Sequence, residues 1–145
     1  MSFSEDIRVK TEQKYKTLYN EIKNFAVGDM HELFFLCACL GFKANKKEPF
    51  ERGDDRFWSR TFTPEEYACF YAMILEKKNM DLASIKDDKT VLGEIELYAN
   101  AGMKILIDEL LSDYVHETNE EYKLDSTCRD ELPKALLHFI YEQLQ

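Results

Sequence analysis

The sequence predicts an all-α fold, a single-domain bundle of about five helices carrying one long basic-aromatic loop. Three observations predict it. Apolar residues recur at three- and four-residue steps, helix-start signals precede the periodic segments, and no β-hairpin signature stands out, although short strands have room within residues 42–62. With 145 residues, 45% of them hydrophobic and 13% aromatic, the chain has the length and the apolar content of one folded domain over residues 1–145.

Residues 1–8 read as an adaptable end. From Lys10 to Phe25, Tyr15, Leu18, Tyr19, Ile22 and Phe25 form one stripe of an amphipathic helix, opposite Lys14, Lys16, Glu21 and Lys23. Gly28 interrupts, and Asp29 suits the N-cap of a second helix. Met30 to Leu40 is apolar nearly all round, which places that helix centrally, and Gly41 stands where a C′ glycine would end it.

Residues 42–62 follow no period, and Pro49 and Gly53 break any helix there. This loop mixes Lys43, Lys46, Lys47, Arg52, Arg56 and Arg60 with Phe50, Phe57, Trp58 and Phe62. Its aromatics either pin it to the core, dock a partner, or stack nucleic-acid bases.

Thr63-Pro64-Glu65-Glu66 is a capping-box start for a third helix to about Lys78, with Tyr67, Phe70, Tyr71, Met73 and Ile74 inward. After a connector over 79–89, Thr90 suits the start of the longest helix, which runs to about Tyr114. Within it, Tyr98, Asn100 and Gly102 mark a helix break or a close approach. Nine acids and two bases lie between Asp108 and Glu131, a solvated face or an imitation of a nucleic-acid backbone. The last helix, about Glu131 to Gln145, buries Leu132, Leu136, Phe139 and Ile140, with Asp130 as cap and Pro133 in its first turn.

The chemistry of the chain points away from catalysis. His31, His116 and His138 are scattered, and Cys37 and Cys39 stand two apart, so neither shows paired zinc spacing. Phosphate-cradling glycine loops and a nucleophile elbow are also missing, so no catalytic residue, metal or cofactor is expected. The longest nearly apolar run, Leu33 to Phe42, is too short to span a bilayer. Four cysteines without framework spacing suit reduced thiols, so a cytoplasmic location without membrane contact is expected. The formal net charge is −9, split as +1 over residues 1–60 and −10 over 61–145, which disfavours generic phosphate binding.

The run Asp29-Met30-His31-Glu32-Leu33-Phe34-Phe35-Leu36-Cys37-Ala38-Cys39-Leu40-Gly41-Phe42 resembles the opening of a small bacterial family, the Dnd system-associated proteins, found near DNA phosphorothioation clusters. Glu96-Leu97-Tyr98-Ala99-Asn100-Ala101-Gly102-Met103 is similar to that family's Tyr-Ala-Asn-x-Gly element, and the likeness spans roughly residues 25–112. It implies an accessory component of a bacterial DNA-modification or anti-phage defence locus and carries no catalytic residues. The expectation is a non-catalytic subunit that docks on a larger ATPase or nuclease through Lys46, Lys47, Arg52, Arg56, Trp58 and Arg60. Reversing Arg52 and Arg56 together is expected to weaken docking without unfolding. The alternative is a nucleic-acid-binding module using the 43–60 loop, with DNA contact secondary.

Overall fold

Val9 and Thr11 are buried while Lys10 between them is exposed, the alternation of a half-buried strand, and the computed structural model, which describes residues 2–145, makes one there. Strand β1 (Arg8–Glu12) pairs antiparallel with β2 (Gly53–Trp58). After a 3₁₀ turn come α1 (Lys16–Ile22), a wider π-turn to Val27, and Gly28 at φ +95°. Helices α2 (Met30–Lys43), α3 (Pro64–Lys77) and α4 (Asp88–Leu106) follow, the last continued by a π-turn to Leu111. A second antiparallel pair, β3 (Val115–Thr118) and β4 (Glu121–Leu124), precedes α5 (Leu132–Gln143).

The all-α expectation is therefore corrected: among the described residues five helices share the fold with two small sheets, making it mixed α and β. The first helix starts later than its stripe suggested, because the residues from Lys10 to Glu12 are spent on β1. The long loop shortens to residues 44–52, since α2 runs on to Lys43 and β2 takes residues 53–58.

Helices α2 and α4 cross at the centre, and two glycines set the distance. A Cβ on Gly41 would stand 2.0 Å from the Tyr98 carbonyl oxygen, and one on Gly102 would stand 1.6 Å from that of Cys37. The pairing of 41 with 98 and 37 with 102 makes the crossing antiparallel. Helix α4 passes through Tyr98, Asn100 and Gly102 unbroken. Gly41 is thus interior to α2 and not its C′ residue. That place falls to Asn45, at φ 55°, with Lys46 N–H donating to Gly41 O (2.9 Å) and Asn45 N–H to Phe42 O (3.0 Å), a complete Schellman motif.

The capping box before α3 forms: Glu66 N–H donates to Thr63 Oγ1 (3.1 Å) and Thr63 N–H to Glu66 Oε1 (2.8 Å). Phe34 of α2 gathers Phe57, Phe62 and Phe70 at ring-centroid distances of 5.6, 5.6 and 6.2 Å, so two aromatics of the loop region lie in the core. Among the described residues, no single helix is long and apolar enough to cross a membrane.

Candidate docking face

Strand alternation decides which loop aromatics face outward. Phe57 points into the core, so its neighbour Trp58 is left 38% exposed, the only aromatic of the 42–62 segment so placed. Arg8 is directly opposite Trp58 in the register, with its guanidinium 4.9 Å from the indole centroid; that of Arg60 is 5.7 Å away. Each cation has its own anion. Arg8 Nε lies 3.7 Å from Asp55 Oδ2, and Arg60 Nη1 donates to Asp6 Oδ2 at 3.0 Å.

Residues 2–7 hold this edge in place. Ser59 N–H donates to Ile7 O and Ile7 N–H to Ser59 Oγ, both at 2.8 Å, while Arg60 N–H donates to Asp6 Oδ1 at 3.0 Å. Phe3 is buried edge-on against Tyr67, ring centroids 4.8 Å apart. Beside Arg60 a cleft of about 350 Å³ opens between Ser4, Asp6, Ser59 and Pro64.

The six residues singled out for docking do not share one surface. Trp58 and Arg60 lie on the edge just described. Lys46 and Lys47 line a separate cleft of about 580 Å³ with Asn45, Lys104 and Asp108. Lys47 is ion-paired with Glu94 and stands 5.3 Å from the Tyr98 ring; its hydrogen bond to Glu94 holds its pKa above the ordinary lysine value. Arg52 lines one cleft with Glu117, Glu120 and Glu121 of the β3–β4 hairpin, while its backbone N–H donates to Glu12 Oε2 at 2.7 Å.

Arg56 is inside. It is the extra residue of a β-bulge, since Val9 pairs with Phe57 and Lys10 with Asp55, and a bulge re-aims its side chain. That side chain is 3% exposed and donates to Thr11 Oγ1 (2.7 Å) and Asp54 Oδ2 (3.2 Å). Reversing its charge would leave an unpaired anion indoors, so the Arg52/Arg56 double reversal perturbs folding as well as any surface. Arg8, which the sequence reading missed, is legible only once the Arg8–Trp58 pairing is known.

Asn100 is buried, with Nδ2 donating to Glu48 O (2.9 Å) and Pro49 O (3.3 Å), which ties the loop after α2 onto α4. Burial pushes the Cys37 thiol far up and that of Cys39 up to about 11, the reverse of an activated nucleophile. Asp29, His31 and Glu32 bring ligand atoms within 4.8 Å of one another, enough to touch a metal ion, but at the α2 N-terminus the helix dipole opposes a cation. His31 Nδ1 lies 2.9 Å from Glu66 Oε1, and its Nε2 lies 3.9 Å from Asp29 Oδ2.

With this geometry in hand, the family model described as DNA sulphur modification system-associated protein 4 matches residues 8–131. No curated protein and no solved structure matches the chain.

Proposed function

The chain belongs to the family of DNA sulphur modification system-associated protein 4, and from that premise we propose that it is a non-catalytic accessory subunit which docks on a larger protein of such a system, an ATPase or a nuclease. The observation that supports this reading is Trp58, exposed between two guanidiniums that are each already neutralised by a carboxylate. Tryptophan and arginine are the residue types that dominate hot spots at protein interfaces. Their arrangement here suits a protein better than a nucleic acid. Phosphate binding draws on cations free to displace counterions, and Arg8 and Arg60 are paired with Asp55 and Asp6.

The test is recovery of system proteins on tagged protein from nuclease-treated lysate of the native host, with wild type compared with Trp58→Ala and Arg60→Ala. Arg60→Ala removes an exposed side chain and should cost no more than about 1 kcal/mol, whereas Trp58, 38% exposed, also loses packing on truncation, so capture is compared after urea unfolding shows each variant folded. The expected outcome is stoichiometric capture of a large partner by wild type and its loss with Trp58→Ala. Equal capture by the folded variants would remove the Trp58 edge from the interface; capture only without nuclease would move the reading to nucleic acid.

A further inference from the structure

Six large hydrophobic side chains are exposed among the described residues, and three of them belong to the end of the chain: Leu137 at 69%, Tyr141 at 62% and Leu144 at 79%. Steps of four and three residues put them in one stripe along α5. Leu144 is the C-cap residue and keeps helical dihedrals (φ −86°, ψ −7°), so the stripe runs on to it. On the opposite face Leu132, Leu136 and Phe139 are buried in the core, and the Lys43 ammonium donates to Gln143 O. Helix α5 is thus fixed in place with a second apolar face turned outward. Single exposed leucines need no account, but a contiguous stripe on an anchored helix marks an interaction surface.

Two features of charge select its occupant. The protein carries a net charge of −9, yet the only Asp, Glu, Lys or Arg residues in 132–145 are Lys134 and Glu142, which cancel. Two copies repel wherever their acidic surfaces meet, and they approach here with the least repulsion. The second feature is order along the helix. Lys134 stands one turn before Leu137, and Glu142 stands beside Tyr141, so the stripe is basic at its start and acidic towards its end. Such a face complements itself when a second copy lies antiparallel to it.

Helix geometry gives the pairing. About a twofold axis at Phe139, Leu137 of each copy meets Tyr141 of the other, and Lys134 lies opposite Leu144. Glu142 of the second copy is then two residues, about 3 Å, along the axis from that point, within reach of the Lys134 ammonium. Within its own copy Glu142 is met by His138 Nε2 at 2.8 Å, an exposed pair that contributes little.

We propose that α5 is a self-association face, through which two copies of this chain pair antiparallel by Leu137, Tyr141 and Leu144, with Lys134 of each beside Glu142 of the other. The stripe is smaller than the roughly 800 Å² per partner of a standard interface, so the dimer is weak, with a dissociation constant on the order of 100 µM. None of these residues belongs to the Trp58 edge; the proposal goes beyond the docking reading and stands or falls separately.

The experiment is sedimentation equilibrium of the full chain in low-salt buffer, from about 10 µM to about 1 mM, where mass action should carry it from monomer to dimer. Leu137→Ser removes two leucines from each dimer and should weaken association at least about tenfold. Its side chain is exposed in the monomer, so urea unfolding should show the variant folded. Lys134→Glu and Glu142→Lys should each weaken association several-fold, because like charges then meet at both ends. An equimolar mixture of these two variants should associate more tightly than either alone. Positions 134 and 142 are about 12 Å apart along one helix, so this recovery reads contact between copies and not within one. A chain still monomeric at about 1 mM would overturn the proposal and leave the stripe to a different protein. A dimer that Leu137→Ser leaves unchanged, or a mixture no tighter than its components, would overturn it as well.

Discussion

Two glycines of the same helix should respond to alanine in opposite directions. At Gly102 an added Cβ meets the Cys37 carbonyl at 1.6 Å, a backbone atom that moves only if α2 and α4 part. Gly102→Ala is expected to destabilise by more than about 3 kcal/mol, beyond the usual range for overpacking. Gly93 has nothing within 4 Å of its added Cβ, so Gly93→Ala should gain about 0.5–1 kcal/mol from helix propensity alone. Urea unfolding of both variants checks the pair; a neutral Gly102→Ala would mean the helices do not approach this closely. Glu96 makes a different prediction. Burial pushes its carboxyl up to about 7, against the pull of the Lys10 backbone N–H that donates to it at 2.6 Å. The folded state thus holds this proton more tightly than the unfolded chain, whose glutamate titrates near 4.3. The resulting stabilisation is fully present below about pH 4.3 and is lost as pH rises through about 7. Glu96→Gln keeps an acceptor for Lys10 and should flatten that slope, measured as urea midpoints at about pH 5 and about pH 8 against wild type.

The helices were legible because their signals are local. The Thr63–Glu66 capping box and the Tyr67, Phe70, Ile74 spacing sit within one segment, and the helix forms where they say. The strands were not. Partners β1 and β2 are separated by some forty residues, so nothing near Val9 announces Phe57, and the bulge at Arg56 hides the alternation further. The β3–β4 turn was missed for another reason. Asn119 and Glu120 both take positive φ, 48° and 64°, as a two-residue turn between Thr118 and Glu121 requires, but the second position lacks the glycine that usually reveals such a turn. Glutamate there is strained, which yields a prediction for this element. Glu120→Gly should stabilise the protein by up to about 1 kcal/mol, the left-handed penalty relieved less the entropy that glycine adds to the unfolded chain. A lowered thermal midpoint would show that the turn adopts another conformation.

At the scale of the molecule, the charge split along the sequence does not become a basic face. The cations of the first half are dispersed by the fold: Arg56 is inside, Arg8 and Arg60 are paired beside Trp58, Lys47 is paired with Glu94, and Arg52 lines a separate cleft beside the β3–β4 hairpin. Sequence reasoning grouped these residues because they are neighbours in the chain; strand alternation and the bulge send them to different places. The two stretches that carried the family likeness, Asp29 to Phe42 and Glu96 to Met103, each hold one glycine of the same helix crossing, where nothing larger fits. This dispersal sets the expectation for DNA. With a net charge of −9 and few unpaired cations together, duplex DNA, sulphur-modified or not, should show no saturable binding by fluorescence anisotropy at about 150 mM salt, where even non-specific binders reach roughly 10⁻⁴–10⁻⁶ M. Micromolar affinity that falls about a thousandfold between roughly 50 and 200 mM salt would instead require several phosphate contacts, and Lys46, Lys47 and Lys104 around their shared cleft would be the first to mutate.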